Sequence, residues 1–174
     1  MWPDAATFSR RLRTLVRVKN DGCDMNDVSR LHVPAVPARP GERPDFSYVR
    51  LSPAGAIKPT GTWHLGTRAG DFVFVAGMRG IDAKTNSLVQ GEEARVRQAF
   101  LNMKLIAESE GATLQDAVRL VVYVTDMFRF RPLVNKVQAE LWGAQGPYPP
   151  RTIIEVDRLN QDDIVEVEGT FYAP

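Results

Sequence analysis

The stretch GAQGPYPPRTIIEVD, residues 143–157, places an arginine directly after a Pro-Pro pair and at the mouth of an alternating, β-branched run. Arg151 carries a planar guanidinium fork that grips a carboxylate through two parallel hydrogen bonds, which a lysine cannot reproduce. On residue chemistry alone a second reading stands beside it: a strand-end surface cation that lays its stem on apolar surface and keeps its head in water. Further on, IVEVEGTF (164–171) alternates as a strand, with Ile164, Glu166, Glu168 and Thr170 on one face and Val165, Val167, Gly169 and Phe171 on the other. Paired carboxylates can raise one pKa enough for general acid–base work on a water, whereas a solvated strand face would leave both simply ionised.

Composition removes most other chemistry. One cysteine, Cys23, excludes an internal disulfide and any multi-cysteine metal site, and it suits a reducing cytoplasm. The two histidines, His32 and His64, are too few for a metal triad unless carboxylates do most of the ligating, so no metal is expected. Neither G-x-G-x-x-G nor G-x-x-x-x-G-K-[ST] occurs, so neither phosphate-cradling loop is present. With 22 Lys+Arg against 21 Asp+Glu the net charge is +1, which gives no basic field for nucleic acid. No apolar run approaches the 18 or so residues that a bilayer span needs. What remains for any chemistry is carboxylate, arginine, backbone amide and water.

The elements that must position these groups follow from periodicity. At 174 residues one domain with an extension is expected, with residues 1–55 as N-terminal extension and Pro-rich linker, partly disordered, and 56–174 as the folded domain. The arginine-rich segment 1–24 reads as a disordered arm or as sequence upstream of a second start at Met25, in preference to a targeting segment. Pro34, Pro37, Pro40, Pro44, Pro53 and Pro59 favour irregular chain in the linker. Residues 62–67 and 71–76 form a hairpin about Ala69-Gly70. Residues 92–110 form an amphipathic helix with Val96, Phe100, Met103 and Ala107 on its apolar stripe and Gly111 beyond its end. Residues 117–125 read as a strand buried on both faces, residues 132–142 as a second helix begun at Pro132 and stopped at Gly143, and residues 152–156 and 164–171 as two more strands. The expected fold is α+β, two helices covering one face of a mixed sheet. The other face carries carboxylates and no helix, which calls for a closed oligomer.

Five separated segments carry a resemblance. RAGDFVFVAG, QAFLNMKLIAESEGATLQDAV, VVYVTDM, PPRTIIEVDRL and IVEVEG occur in the order found in the Rid family, the YjgF-type reactive intermediate deaminases, and cover about residues 61–172. The resemblance implies a homotrimer of a chorismate-mutase-like fold with clefts between subunits, and hydrolysis of enamines and imines to ketones and ammonia without metal or organic cofactor. It also implies that Arg151 grips the substrate carboxylate, that Glu166 handles the hydrolytic water, and that Gly77 and Ile153 line the pocket by their backbones. Asn135 lies near a helix asparagine of the pattern, with one extra residue before it. The chain departs from the family in having Trp63 where a tyrosine is common and Ala76-Gly77-Met78 in place of Ser-Gly-Gln, with Arg79 and His64 beside them. These two donors suggest the 2-aminomuconate deaminase branch, whose substrate has a second carboxylate, although a solvated loop residue needs no explanation. A non-catalytic small-molecule binder and a ribonuclease are the other readings, and the near-neutral charge and lack of a histidine pair argue against the ribonuclease.

Overall fold

Strand-forming alternation and two apolar stripes account for most of the architecture. The computed structural model describes residues 48–174, so the arginine-rich arm and most of the Pro-rich stretch lie outside the described residues. In chain order the elements are β1 (Tyr48–Leu51), β2 (Gly66–Ala69), β3 (Phe72–Arg79), β4 (Ile81–Asp82), β5 (Ser87–Leu88), α1 (Glu92–Glu108), β6 (Ala117–Val124), α2 (Met127–Trp142), β7 (Arg151–Glu155) and β8 (Val165–Tyr172). Six strands form one sheet in the order β1-β2-β3-β8-β6-β7, with β4 and β5 as a separate pair. Among the described residues only β6 and β7 pair in parallel, because the crossover helix α2 connects them. The fold is α+β, with both helices on one face of the mixed sheet.

The expected stripe of α1 is buried, with Val96, Phe100 and Met103 fully and Ala107 almost so. It packs with Val73, Val75, Leu120, Val122, Val165, Val167 and Phe171 from the sheet in one core. Truncating Phe100 to alanine there would cost about 3–5 kcal/mol. Across the helices, Glu93 accepts from Arg97 at 3.1 Å and from Lys136 at 2.7 Å, and Arg97 also reaches Glu140. At this exposure such pairs orient the helices more than they stabilise them.

Three boundaries differ from the sequence reading. Residues 48–51, read as linker, are an edge strand paired with β2; in the segment YVRL only Leu51 is buried, so no alternation announces it. The hairpin turns at Gly70 and its first arm begins only at Gly66. Helix α2 starts not near Pro132 but at Met127, because the Asp126 side chain caps it by accepting from the Arg129 amide at 2.9 Å. Pro132 thus lies in the second turn, and the buried stripe is Phe130, Val134, Val137 and Trp142, with Leu133 and Leu141 only partly buried.

The face of the sheet away from the helices carries exposed aromatic and aliphatic side chains, Phe72, Phe74, Ile154 and Tyr172 among them. No helix among the described residues is long and apolar enough to cross a membrane.

Candidate active site

Pro149 and Pro150 cannot donate to a ladder, so β7 begins at Arg151, and the Pro150 carbonyl accepts the Leu120 amide at 2.9 Å to seat its first residue. Arg151 is in register with Leu120, a core residue, so its side chain rises on the helix side of the sheet. There α2 meets it with two residues one turn apart. Gln138 Oε1 accepts from Nη1 at 2.5 Å and Asn135 Oδ1 accepts from Nη2 at 2.7 Å. With Ala139, Tyr148 and Pro149 these residues line a cleft of about 410 Å³. Burial and the nearby Arg131 charge lower the Arg151 pKa from its ordinary value, yet a guanidinium stays protonated. Among the described residues no carboxylate pairs with it. A half-buried cation met only by neutral oxygens is a ready anion site.

Glu166 sits on the opposite face. It is in register with Arg79 of β3 and Tyr123 of β6, while its neighbours Val165 and Val167 point into the core. An irregularity in β3 between Val75 and Met78 brings the Gly77 backbone against the carboxylate; a Cβ added at Gly77 would fall 1.8 Å from Glu166 Oε1. Glycine is therefore the condition for this placement. Trp63, Gly77, Arg79, Asn160 and Glu166 line a cleft of about 310 Å³. Burial raises the Glu166 pKa; the Arg79 charge opposes this, and Glu168 and Asp163 add to it. Glu168 itself accepts from the Tyr123 hydroxyl at 3.4 Å. Arg79 is buried and donates to the Asn160 carbonyl at 2.5 Å and to Gln161 Oε1 at 3.1 Å. Gln161 and Asp162 hold that loop with φ of 59° and 53°, a conformation that costs a non-glycine residue about 1 kcal/mol or more.

The two groups cannot meet within one chain. Strand β6 lies between β7 and β8, which separates their backbones by roughly 10 Å, and the side chains leave opposite faces.

The family described as Endoribonuclease L-PSP matches residues 54–172. The chain belongs to the Rid family. Its similarity extends to a RutC family protein of Pyrococcus horikoshii, 38% identical over 118 residues that are 67% of this chain and 91% of that one. A 2-iminobutanoate/2-iminopropanoate deaminase of Dermatophagoides farinae is 32% identical over 115 residues, 66% of this chain and 88% of that one. The solved structure of a probable translation initiation inhibitor from Rhodopseudomonas palustris superposes with a TM-score of 0.71 at 55% identity, covering 74% of this chain and 99% of that one. A second family, described as 2-oxoisovalerate dehydrogenase E1 alpha subunit N terminal, matches only residues 28–59.

In this Rid protein the residues singled out from sequence fall into two groups and two stragglers. Arg151 and Asn135 share one cleft; Trp63, Gly77, Arg79 and Glu166 share the other. Ile153 lies on β7, an edge strand whose outer backbone groups have no strand partner among the described residues. His64 is exposed and lines neither cleft. Gln138 escaped the sequence reading, although its spacing of three from Asn135 puts it on the same side of α2 and could have found it. Asn160 and Gln161 left no signal, since a carbonyl and a strained loop residue belong to no motif.

Proposed function

We propose that this Rid protein is a hydrolytic deaminase converting an enamine or imine carboxylic acid to the corresponding keto acid and ammonia, without metal or organic cofactor, in the cytoplasm. The observation that carries this reading is the pair of half-sites: an unneutralised guanidinium on one face and a carboxylate seated over Gly77 on the other. An anion-binding group and a proton-handling group are the two needs of imine hydrolysis on an amino-acid skeleton. Because they lie on opposite faces, the working site forms between copies, the Arg151 face of one against the Glu166 face of the next. Repeated head to tail, that contact closes as a ring, here a homotrimer, and the exposed aromatic side chains of the open sheet face fit such an interface.

In that site Arg151, with Asn135 beside it, binds the substrate carboxylate, while the Gly77 and Ile153 backbones and Trp63 form the walls. An enamine first tautomerises to its imine. Glu166 then takes a proton from water as the oxygen adds to the C=N carbon and returns it to the nitrogen; the carbinolamine hydroxyl proton next passes through Glu166 to the amine, and the C–N bond breaks to release ammonia and the ketone. The name carried by the Dermatophagoides farinae relative supports a 2-imino acid as substrate. The test is ammonia release from 2-iminopropanoate generated in place from alanine by an amino-acid oxidase, measured above uncatalysed hydrolysis. Glu166→Gln should keep carboxylate binding and lose at least a hundredfold in kcat; unchanged turnover would remove the hydrolytic role of that carboxylate, and wild type with no release above the uncatalysed rate would leave the chain a binder.

A dicarboxylate such as 2-aminomuconate is favoured by one observation, Arg79 lining the same cleft as Glu166 with only part of its donor set committed. Arg79→Ala should then lower kcat/KM for 2-aminomuconate tenfold to a hundredfold, about 1.5–3 kcal/mol, and leave 2-iminopropanoate unaffected. An equal fall for both substrates would assign Arg79 to holding the loop at Asn160.

A further inference from the structure

We infer that Gln138 is a positioning residue that aims the Arg151 guanidinium without neutralising it. The inference rests on the reading of Arg151 as the carboxylate anchor. Its own observation is the contrast between the two amides that hold the arginine. Asn135 is exposed, whereas Gln138 is only 5% exposed and lies among the buried residues Val134, Val137 and Trp142 of α2. Packing against the core therefore fixes the Gln138 oxygen, and the 2.5 Å bond to Nη1 passes that fixity to a side chain with four rotatable torsions. A fixed acceptor cuts the rotamer freedom that a carboxylate would otherwise have to remove on binding.

The chemical type matters as much as the position. A glutamate would make the same hydrogen bond and fill the same volume, but it would pair the cation internally and leave no net charge for the ligand. A leucine or methionine would fill the space and leave the guanidinium unaimed. Only a neutral acceptor does both tasks. Gln138 and Asn135 together occupy two of the five N–H donors, and the three that remain suffice for a bidentate carboxylate.

Four variants of the full chain test this: Gln138→Glu, Gln138→Met, Arg151→Lys, and Gln138→Met with Arg151→Lys. The first readout is calorimetric Kd for 2-oxobutanoate, a stable monocarboxylate; the second is kcat/KM for 2-iminopropanoate; melting temperature and oligomer size report the fold. Gln138→Glu and Gln138→Met should each raise Kd at least tenfold while the folded, assembled fraction stays that of wild type. The glutamate variant is the sharper arm, since a merely structural role predicts that a residue of the same size and hydrogen-bonding reach restores binding. In the Arg151→Lys background, Gln138→Met should lower kcat/KM by less than threefold, because no fork is left to aim. Wild-type Kd in Gln138→Glu, or a tenfold further loss in the lysine background, would overturn the inference. Wild type that neither binds 2-oxobutanoate nor hydrolyses the imine would overturn the carboxylate-anchor reading and this inference with it.

Discussion

Arg151 and Glu166 are both partly buried charges near strand starts on either side of β6, yet they are held by opposite means. Two neutral amides grip the arginine, and no carboxylate among the described residues touches it. Three charged groups, Arg79, Glu168 and Asp163, act on the glutamate, two of them pushing with burial to raise its pKa and one against. The arrangements suit different tasks. A group that must attract an anion keeps its charge if only dipoles hold it, whereas a group that must exchange a proton needs its proton affinity adjusted, and nearby charges do that.

The division of labour is broken most completely by subunit mixing. Arg151→Ala and Glu166→Gln, each prepared alone, should lose at least a hundredfold in turnover. Unfolded together in equal amounts and refolded, they should recover about one quarter of wild-type activity, because that is the chance that an arginine-bearing face meets a glutamate-bearing one in a ring assembled at random. Failure to recover activity in mixed oligomers of verified composition would show that the two groups do not build one site between copies and dismantle the two-face account.

Gly77 gives the next effect in size. Its missing side chain is the space that the Glu166 carboxylate occupies, so Gly77→Ala must displace a carboxylate whose backbone is fixed in the ladder with β3 and β6. The expected result is a fall in kcat of about tenfold to a hundredfold with Kd for 2-oxobutanoate nearly unchanged, since the arginine half is untouched. An equal loss of binding would mean that the two halves are coupled through the fold.

Much of this arrangement could be read from residue order, and the reasons for the remainder are physical. Arg151 and Glu166 stood out because each is an unusual residue in a regular pattern, a cation after two prolines and an acid in an apolar strand, whereas Gly77 was legible only through the family resemblance. The faces of β8 followed from alternation alone, and the stripe of α1 from its period. Arg79 was legible only as a cation of unknown direction, because its bonds run to a loop more than 80 positions away whose path no local pattern encodes. The offset between the Arg151 and Glu166 faces also stayed hidden, since it depends on how β7 registers in parallel with β6, a non-local fact. The strand Tyr48–Leu51 escaped for a simpler reason: an edge strand with one buried residue owes its pairing to a partner already in place.

The smallest expected effect separates the two charges by their thermodynamic sign. With its pKa raised above the ordinary glutamate value of 4.5, Glu166 in the folded state holds a proton that the unfolded chain has already released. Below that ordinary value both states are protonated and the residue exacts no penalty; as pH rises through it to the folded-state pKa, stability falls, and above the folded-state pKa the loss is complete. Glu166→Gln removes the titration. The variant should therefore match wild type in melting temperature near pH 4 and exceed it at pH 7.5 by about 1–3 °C, at equal protein concentration so that assembly does not contribute. The arginine side offers no such signature, because Arg151 does not titrate over this range. A variant that melts lower than wild type at pH 7.5 would reverse the sign, as a cation facing Glu166 does by favouring its ionised form. Arg79 acts too weakly to offset burial in one copy, so the cation would be Arg151 of a neighbouring copy, paired with Glu166 when no substrate lies between them. The melting curves thus distinguish a carboxylate kept proton-ready by burial from one held in reserve by the next subunit's arginine.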